Sequence, residues 1–87
     1  MAIYDLQAGI EDEKRVKLLF RLTKLRSESL MNAIIRVLVR GDNIASAAYM
    51  EDVDESSLKK ALARLNKINE IVELIKEHDL YGKSKGR

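Results

Sequence analysis

The stretch NIASAAYMEDVDESSLKKALARL, Asn43 to Leu65, decides the fold. It reads as two short helical segments, 43–50 and 54–66, with a turn through Glu51, Asp52 and Val53 between them. Asp42 or Asn43 can cap the first and Asp54 the second, because a short side-chain oxygen accepts from the free N–H groups that open a helix. Two helices crossing through a tight turn need three things: a small residue where they approach, an apolar residue just after the turn, and apolar anchors on the second helix. Ala48 is the small residue, Val53 follows five positions later, and Leu58, Ala61 and Leu62 are the anchors. That is helix-turn-helix spacing with one departure. Asp52 stands where glycine is often found for a left-handed backbone, a conformation Asp tolerates better than most residues.

Working outward, apolar residues recur at helical intervals on both sides. Upstream, Val16, Leu19, Phe20 and Leu22 predict a helix over 11–25, with the acids at 11–13 complementing its N-terminus. Ser27 caps a second helix with Leu30, Met31, Ile34, Ile35 and Leu38 on one face and Gly41 as its stop. Its Ile-Ile-Arg-Val-Leu-Val run also fits a strand, but its length and the lack of a partner strand decide for helix. Downstream, Leu58, Ala61, Leu62, Leu65, Ile68, Val72 and Ile75 carry a helix from 54 to about residue 80. Asn66 and Asn69, weak helix formers, mark where it would bend or break. The expectation is an all-α domain of four to five helices containing a helix-turn-helix. It would have an N-terminal arm at 1–10, a body at 11–81 and a flexible basic tail at 82–87.

Composition narrows the function. Eighty-seven residues make about one domain, and a proline-free chain rich in Leu, Ile, Lys, Glu and Ala leans helical. With no cysteine, disulfides, thiolate metal sites and cysteine catalysis drop out. No apolar run approaches the ~20 residues that cross a bilayer. Acids stand at the start where a signal peptide carries bases. The expected location is therefore cytoplasmic, with no membrane partner. His78 stands alone, so no metal site is expected. Phosphate-cradling glycine motifs are missing, and Ser56 and Ser57 beside Lys59 and Lys60 lack a general base or a glycine loop. No enzyme, cofactor or small-molecule ligand is expected. Tyr49 and Tyr81 read as half-buried packing residues.

Net charge is only +2, but the charges are segregated. Lys14, Arg15, Lys17, Arg21, Lys24 and Arg26 follow one another without an acid, and so do Lys59, Lys60, Arg64 and Lys67. Blocks of this kind give a near-neutral chain a basic surface, and some of Lys14 to Arg26 are expected to join Lys59, Lys60, Arg64 and Lys67 in contacting phosphates. The outward face of the second helix of the motif is Glu55, Ser56, Lys59, Lys60 and Ala63, with Arg64 and Lys67 one to two turns further. Serine and lysine there can donate to phosphate oxygens or base edges. Apolar residues spread beyond one narrow stripe on 16–25 and 27–40, which points to self-association through the 16–39 helices or the 65–75 end. A competing reading is a helical protein-interaction module, or an antitoxin-like modulator that never touches bases. The acidic turn favours that reading, and the unopposed bases disfavour it.

Leu38-Val39-Arg40-Gly41, Ala48, Val53 and Leu62-Ala63-Arg64-Leu65 through Asn69 together resemble the PapB-type regulators of bacterial fimbrial adhesin biosynthesis. Leu62, Arg64, Leu65 and Asn69 are the most telling, and the resemblance spans roughly residues 25–75. The Glu51–Glu55 stretch is more acidic than that family's turn. The resemblance implies a transcription factor that binds AT-rich, promoter-proximal repeats of double-stranded DNA as a homo-oligomer. It places DNA contact on Ser56, Ser57, Lys59, Lys60 and Arg64. Lys67 joins them from its position on the same basic face.

Overall fold

The computed structural model describes residues 6–84, with side chains as far as Leu80. Four helices and no strand occur among the described residues: α1 (Glu13–Phe20), α2 (Glu28–Leu38), α3 (Ile44–Glu51) and α4 (Glu55–Ser84). The domain is all-α, and α3 and α4 are the expected pair of helices about a three-residue turn. Val16, Leu19, Ala33, Ile34, Leu38, Ala47, Ala48, Leu58 and Leu65 are among the side chains that form one core shared by all four helices.

α1 is shorter than its periodicity predicts. Asp12 is its N-cap, accepting from the Arg15 N–H at 3.0 Å, so Glu11 stays outside and instead accepts from the Gln7 N–H at 2.7 Å. At the other end the Thr23 hydroxyl donates to the Phe20 carbonyl at 2.9 Å and accepts from the Leu25 N–H at 3.1 Å. A threonine that offers the backbone such local bonds competes with helix continuation. Leu22 therefore falls in a turn, exposed.

α2 starts at the expected Ser27 cap and ends at Leu38. Segment 6–11 closes its C-terminal end: the Gly9 N–H donates to the Val37 carbonyl and the Glu11 N–H to the Leu38 carbonyl, both at 3.0 Å. Gly9 and Gly41 both have positive φ, and a Cβ on Gly9 would come within 3.1 Å of the Gly41 Cα. Only glycine lets these two strands of backbone cross so closely. Of the expected arm, residues 6–10 are thus held against the body, and residues 1–5 lie outside the described residues.

α4 does not bend or break at its asparagines. Asn66 Oδ1 accepts from the Leu6 N–H at 2.9 Å, and Asn69, 4% exposed, accepts from Arg15 Nη1 at 2.6 Å. Their amides serve tertiary contacts rather than competing for the helix backbone. The helix runs on past residue 80 through Ser84, so Gly82, Lys83 and Ser84 belong to it rather than to a tail, and residues 85–87 lie outside the described residues. Asn69 is the last buried residue of α4 among those with described side chains, and Val72 still packs on the core. Beyond Glu73 α4 outruns the body, and the radius of gyration of 14.5 Å exceeds the ~12 Å of a compact chain of this length.

Candidate nucleic-acid interface

The corner is built as its spacing requires. Asn43 caps α3, accepting from the Ser46 N–H at 2.7 Å. α3 ends at Asp52, whose φ of 56° and ψ of 48° are left-handed, so the backbone takes the conformation of a glycine stop with an aspartate in place. The Val53 N–H then reaches back to the Ala48 carbonyl at 2.9 Å, and Val53 packs on the core beside the buried Ala48. A side chain larger than alanine at 48 would force the two helices apart. Asp54 opens α4, accepting the Ser57 N–H at 3.1 Å and the Ser56 hydroxyl at 2.6 Å on one oxygen. These bonds, the Ser56 hydroxyl first and the Ser57 N–H second, hold the Asp54 carboxyl below its ordinary pKa.

Packing then fixes which way α4 faces. Leu58, Ala61 and Leu65 are buried, while Ser56, Ser57, Lys59, Lys60, Arg64 and Lys67 are all exposed. At ~100° per residue, Ser56, Lys60, Ala63 and Lys67 lie opposite that buried stripe, with Lys59 on one flank and Ser57 and Arg64 on the other. The six site residues expected from sequence thus share one outward strip, about 16 Å long at 1.5 Å per residue. Lys59 approaches Glu55 at 3.7 Å, an exposed pair one turn apart that holds little energy. Lys60, Arg64 and Lys67 make no ion pair among the described residues. The bases of α1 are elsewhere. α1 packs against the inward side of α4, and Lys14, Lys17 and Arg21 line its outer surface, away from the strip.

Two arginines position this strip, Arg36 and Arg15, the latter expected from sequence only as part of a basic block. Arg36 of α2 donates from Nε to Glu51 of α3 at 2.6 Å and from Nη1 to Asp42 at 3.4 Å. Chiefly through the Glu51 bond its guanidinium is held more firmly protonated than usual. Arg15 of α1 donates to Asn69 and to Glu73, tying α1 to the middle of α4. Three of the four acids about the turn have partners: Glu51 pairs with Arg36, Asp54 is the cap, and Glu55 faces Lys59, while Asp52 is exposed. The clearest advance signal was an arginine at 36 inside an otherwise apolar run, fifteen residues before an acid knot. Tyr49 departs from expectation, being 84% exposed on α3 next to the turn rather than half-buried. The side chain of Tyr81 lies outside the described residues.

The crystal structure of FocB from Escherichia coli matches 86% of this chain and 85% of its own, with a TM-score of 0.78 at 20% identity. The chain has the fold of FocB. FocB is a fimbrial regulator of the PapB family, the family that Leu62, Arg64, Leu65 and Asn69 resemble. No family model and no curated protein sequence matches the chain. Among the described residues, no helix is long and apolar enough to cross a membrane.

Proposed function

We propose that this protein is a PapB-type transcription regulator that binds AT-rich repeats of double-stranded DNA as a homo-oligomer in the cytoplasm, with α4 as its recognition helix. The observation that carries the reading is the strip itself. Lys60, Arg64 and Lys67 stand free of carboxylates among the described residues, on the outward face of a helix-turn-helix whose fold is that of a fimbrial regulator. In this reading Lys59, Lys60, Arg64 and Lys67 neutralise phosphates and release counterions, which supplies affinity without sequence information.

Selectivity falls to Ser56, Ser57 and Lys59 at the leading end. The Ser56 hydroxyl already donates to Asp54, so it is left with lone pairs to offer. An acceptor held there suits an amino group on a base edge, such as the adenine N6 amine in the major groove. No catalytic step and no cofactor enters this reading.

An electrophoretic mobility-shift titration tests it, using the full chain against AT-rich and GC-rich duplexes between ~50 and ~200 mM salt. The expected result is retardation of the AT-rich duplex first, with affinity falling steeply as salt rises. Absence of retardation of either duplex at the lowest salt, at high micromolar protein, overturns the reading in favour of a protein-interaction module.

A further inference from the structure

Among the described residues, besides Ile10 and the neighbouring Tyr49 and Met50, exposed apolar side chains gather on two surfaces of opposite charge. One is the far part of α4, where Ile71, Leu74 and Ile75 are 45%, 48% and 53% exposed. Residues 70–79 hold four acids (Glu70, Glu73, Glu77 and Asp79) against Lys76, and Glu73 among them is already engaged by Arg15 and Lys76. The other is the outer face of α1 and the turn after it, where Leu18 and Leu22 are 51% and 59% exposed. Residues 13–26 hold six bases against Glu13, and Lys14, Lys17, Leu18 and Arg21 line a shallow depression there. Exposed leucines and isoleucines grouped in this way mark contact surfaces more often than chance.

Apart from the Arg15–Glu73 pair, the two patches do not meet within one molecule. Arg15 fastens α1 to the side of α4 that bears Asn69 and Glu73. At ~100° per residue, Ile71, Leu74 and Ile75 project about half a turn away from that side. Leu18 and Lys14 project from α1 opposite its own buried Val16, Leu19 and Phe20. The patches therefore face outward in opposite directions.

We propose that the outer face of α1 and the overhanging end of α4 are the two halves of one contact, through which copies of this chain join head to tail. The occupant of each patch is a second copy, because the only chemistry each requires, an acidic-apolar helix for one and a basic-apolar helix for the other, is what the second copy offers. The proposal rests on the oligomeric part of the function above and is independent of its DNA-binding part. A contact between two different patches does not close on itself as a two-fold dimer does. It leaves one patch open at each end of the array, so copies can extend beyond a pair, with the contact beginning one turn past Lys67 on the same face of α4. Because the facing charges are solvent-exposed, the contact weakens as salt rises.

Sedimentation velocity on the full chain and two double variants, each checked for helix content by circular dichroism, tests the proposal. Leu18→Gln with Leu22→Gln removes the apolar part of the α1 face, and Ile71→Gln with Leu74→Gln that of the α4 end. All four positions are exposed and glutamine is a good helix former, so both variants should fold. The parent chain should sediment as species larger than the 9.9 kDa monomer. Each variant alone should dissociate at least ~10-fold more readily. An equimolar mixture should form a two-chain species and nothing larger, since only one intact pair of patches remains. A parent that stays monomeric at high micromolar concentration overturns both this contact and the oligomeric reading. A parent that associates while either variant associates equally well, or whose variants fail to pair on mixing, overturns this contact alone.

Discussion

If Lys60, Arg64 and Lys67 touch the phosphate backbone, each should be countable. A cation that neutralises one phosphate contributes about −0.9 to the slope of log affinity against log salt. None of the three has an ion-pair partner among the described residues, so none must first be released from a carboxylate. Together they account for a slope of about −2.7 per bound copy. Over a fourfold rise in salt, each contact is then responsible for about a 3.5-fold loss of affinity, and the three for about 40-fold. Lys60→Ala, Arg64→Ala and Lys67→Ala should each flatten the slope by ~0.9, and the triple variant should be nearly 3 units flatter than the parent. Fluorescence anisotropy of a labelled AT-rich duplex at four or five salt concentrations measures this directly. All three side chains are exposed, so the substitutions should leave stability within about ±0.5 kcal/mol. Lys76→Ala is the control: that lysine is exposed, lies 3.4 Å from Glu73 and is off the strip, and its slope should match the parent's. A triple variant that keeps the parent's slope would refute the assignment of these residues as the contact surface.

Other consequences concern the scaffold. Ala48→Leu overpacks the corner and should cost about 1–3 kcal/mol, a fall in Tm of roughly 5–15 °C for a chain of this length, read by thermal circular dichroism. Asp52→Val puts a β-branched side chain at a φ of 56° and should lower stability by about 1–2 kcal/mol in denaturant titration, whereas Asp52→Gly should not. Arg15→Met withdraws a donor from the buried Asn69 and from Glu73, and should cost about 1–3 kcal/mol by the same titration. The Asp54 carboxyl is held below its ordinary pKa by Ser56 and then Ser57, so its capping contribution is complete above about pH 4, the unfolded value, and is lost as pH falls through the lower folded value. Melting curves taken below pH 4 should therefore fall more steeply for the parent than for Asp54→Asn.

The corner was legible because its determinants are local. A small residue, a valine five later and a capping aspartate constrain one another within a dozen positions, and each does what its chemistry dictates. The strip followed from the same register, since once Leu58, Ala61 and Leu65 face inward, the helical repeat leaves Ser56, Lys60 and Lys67 no other direction. The misreadings have the opposite character. Asn66 and Asn69 are weak helix formers in isolation, and in the unbroken α4 their amides are engaged by a backbone N–H sixty positions upstream and an arginine fifty-four positions upstream. Thr23 ended α1 early through its hydroxyl, although leucines continue the apolar spacing beyond it. Tyr49 is exposed because the inward side of α3 is set by Ile44, Ala47 and Ala48, and the helical repeat turns residue 49 away from it.

The acidic turn, which on sequence counts against a DNA surface, becomes part of the case for one when its partners are traced. A carboxylate repels phosphate over a Debye length of about 8–10 Å unless a cation or an N–H group lies closer. Glu51 is answered by Arg36 from another helix, and Asp54 by the first turn of α4, whose N–H groups carry the positive end of the helix dipole. Glu55 is answered only by the long, exposed contact to Lys59, and Asp52 projects freely. Two charges of the knot thus do structural work and two remain exposed. The remaining two lie at the leading end of α4, while Lys60, Arg64 and Lys67 lie one to three turns along it. A duplex that follows the strip meets the carboxylates at its edge, where they penalise any docking that slides toward α3 and leave the register centred on the lysines favoured. On this account the acids limit where DNA can sit more than how tightly it is held.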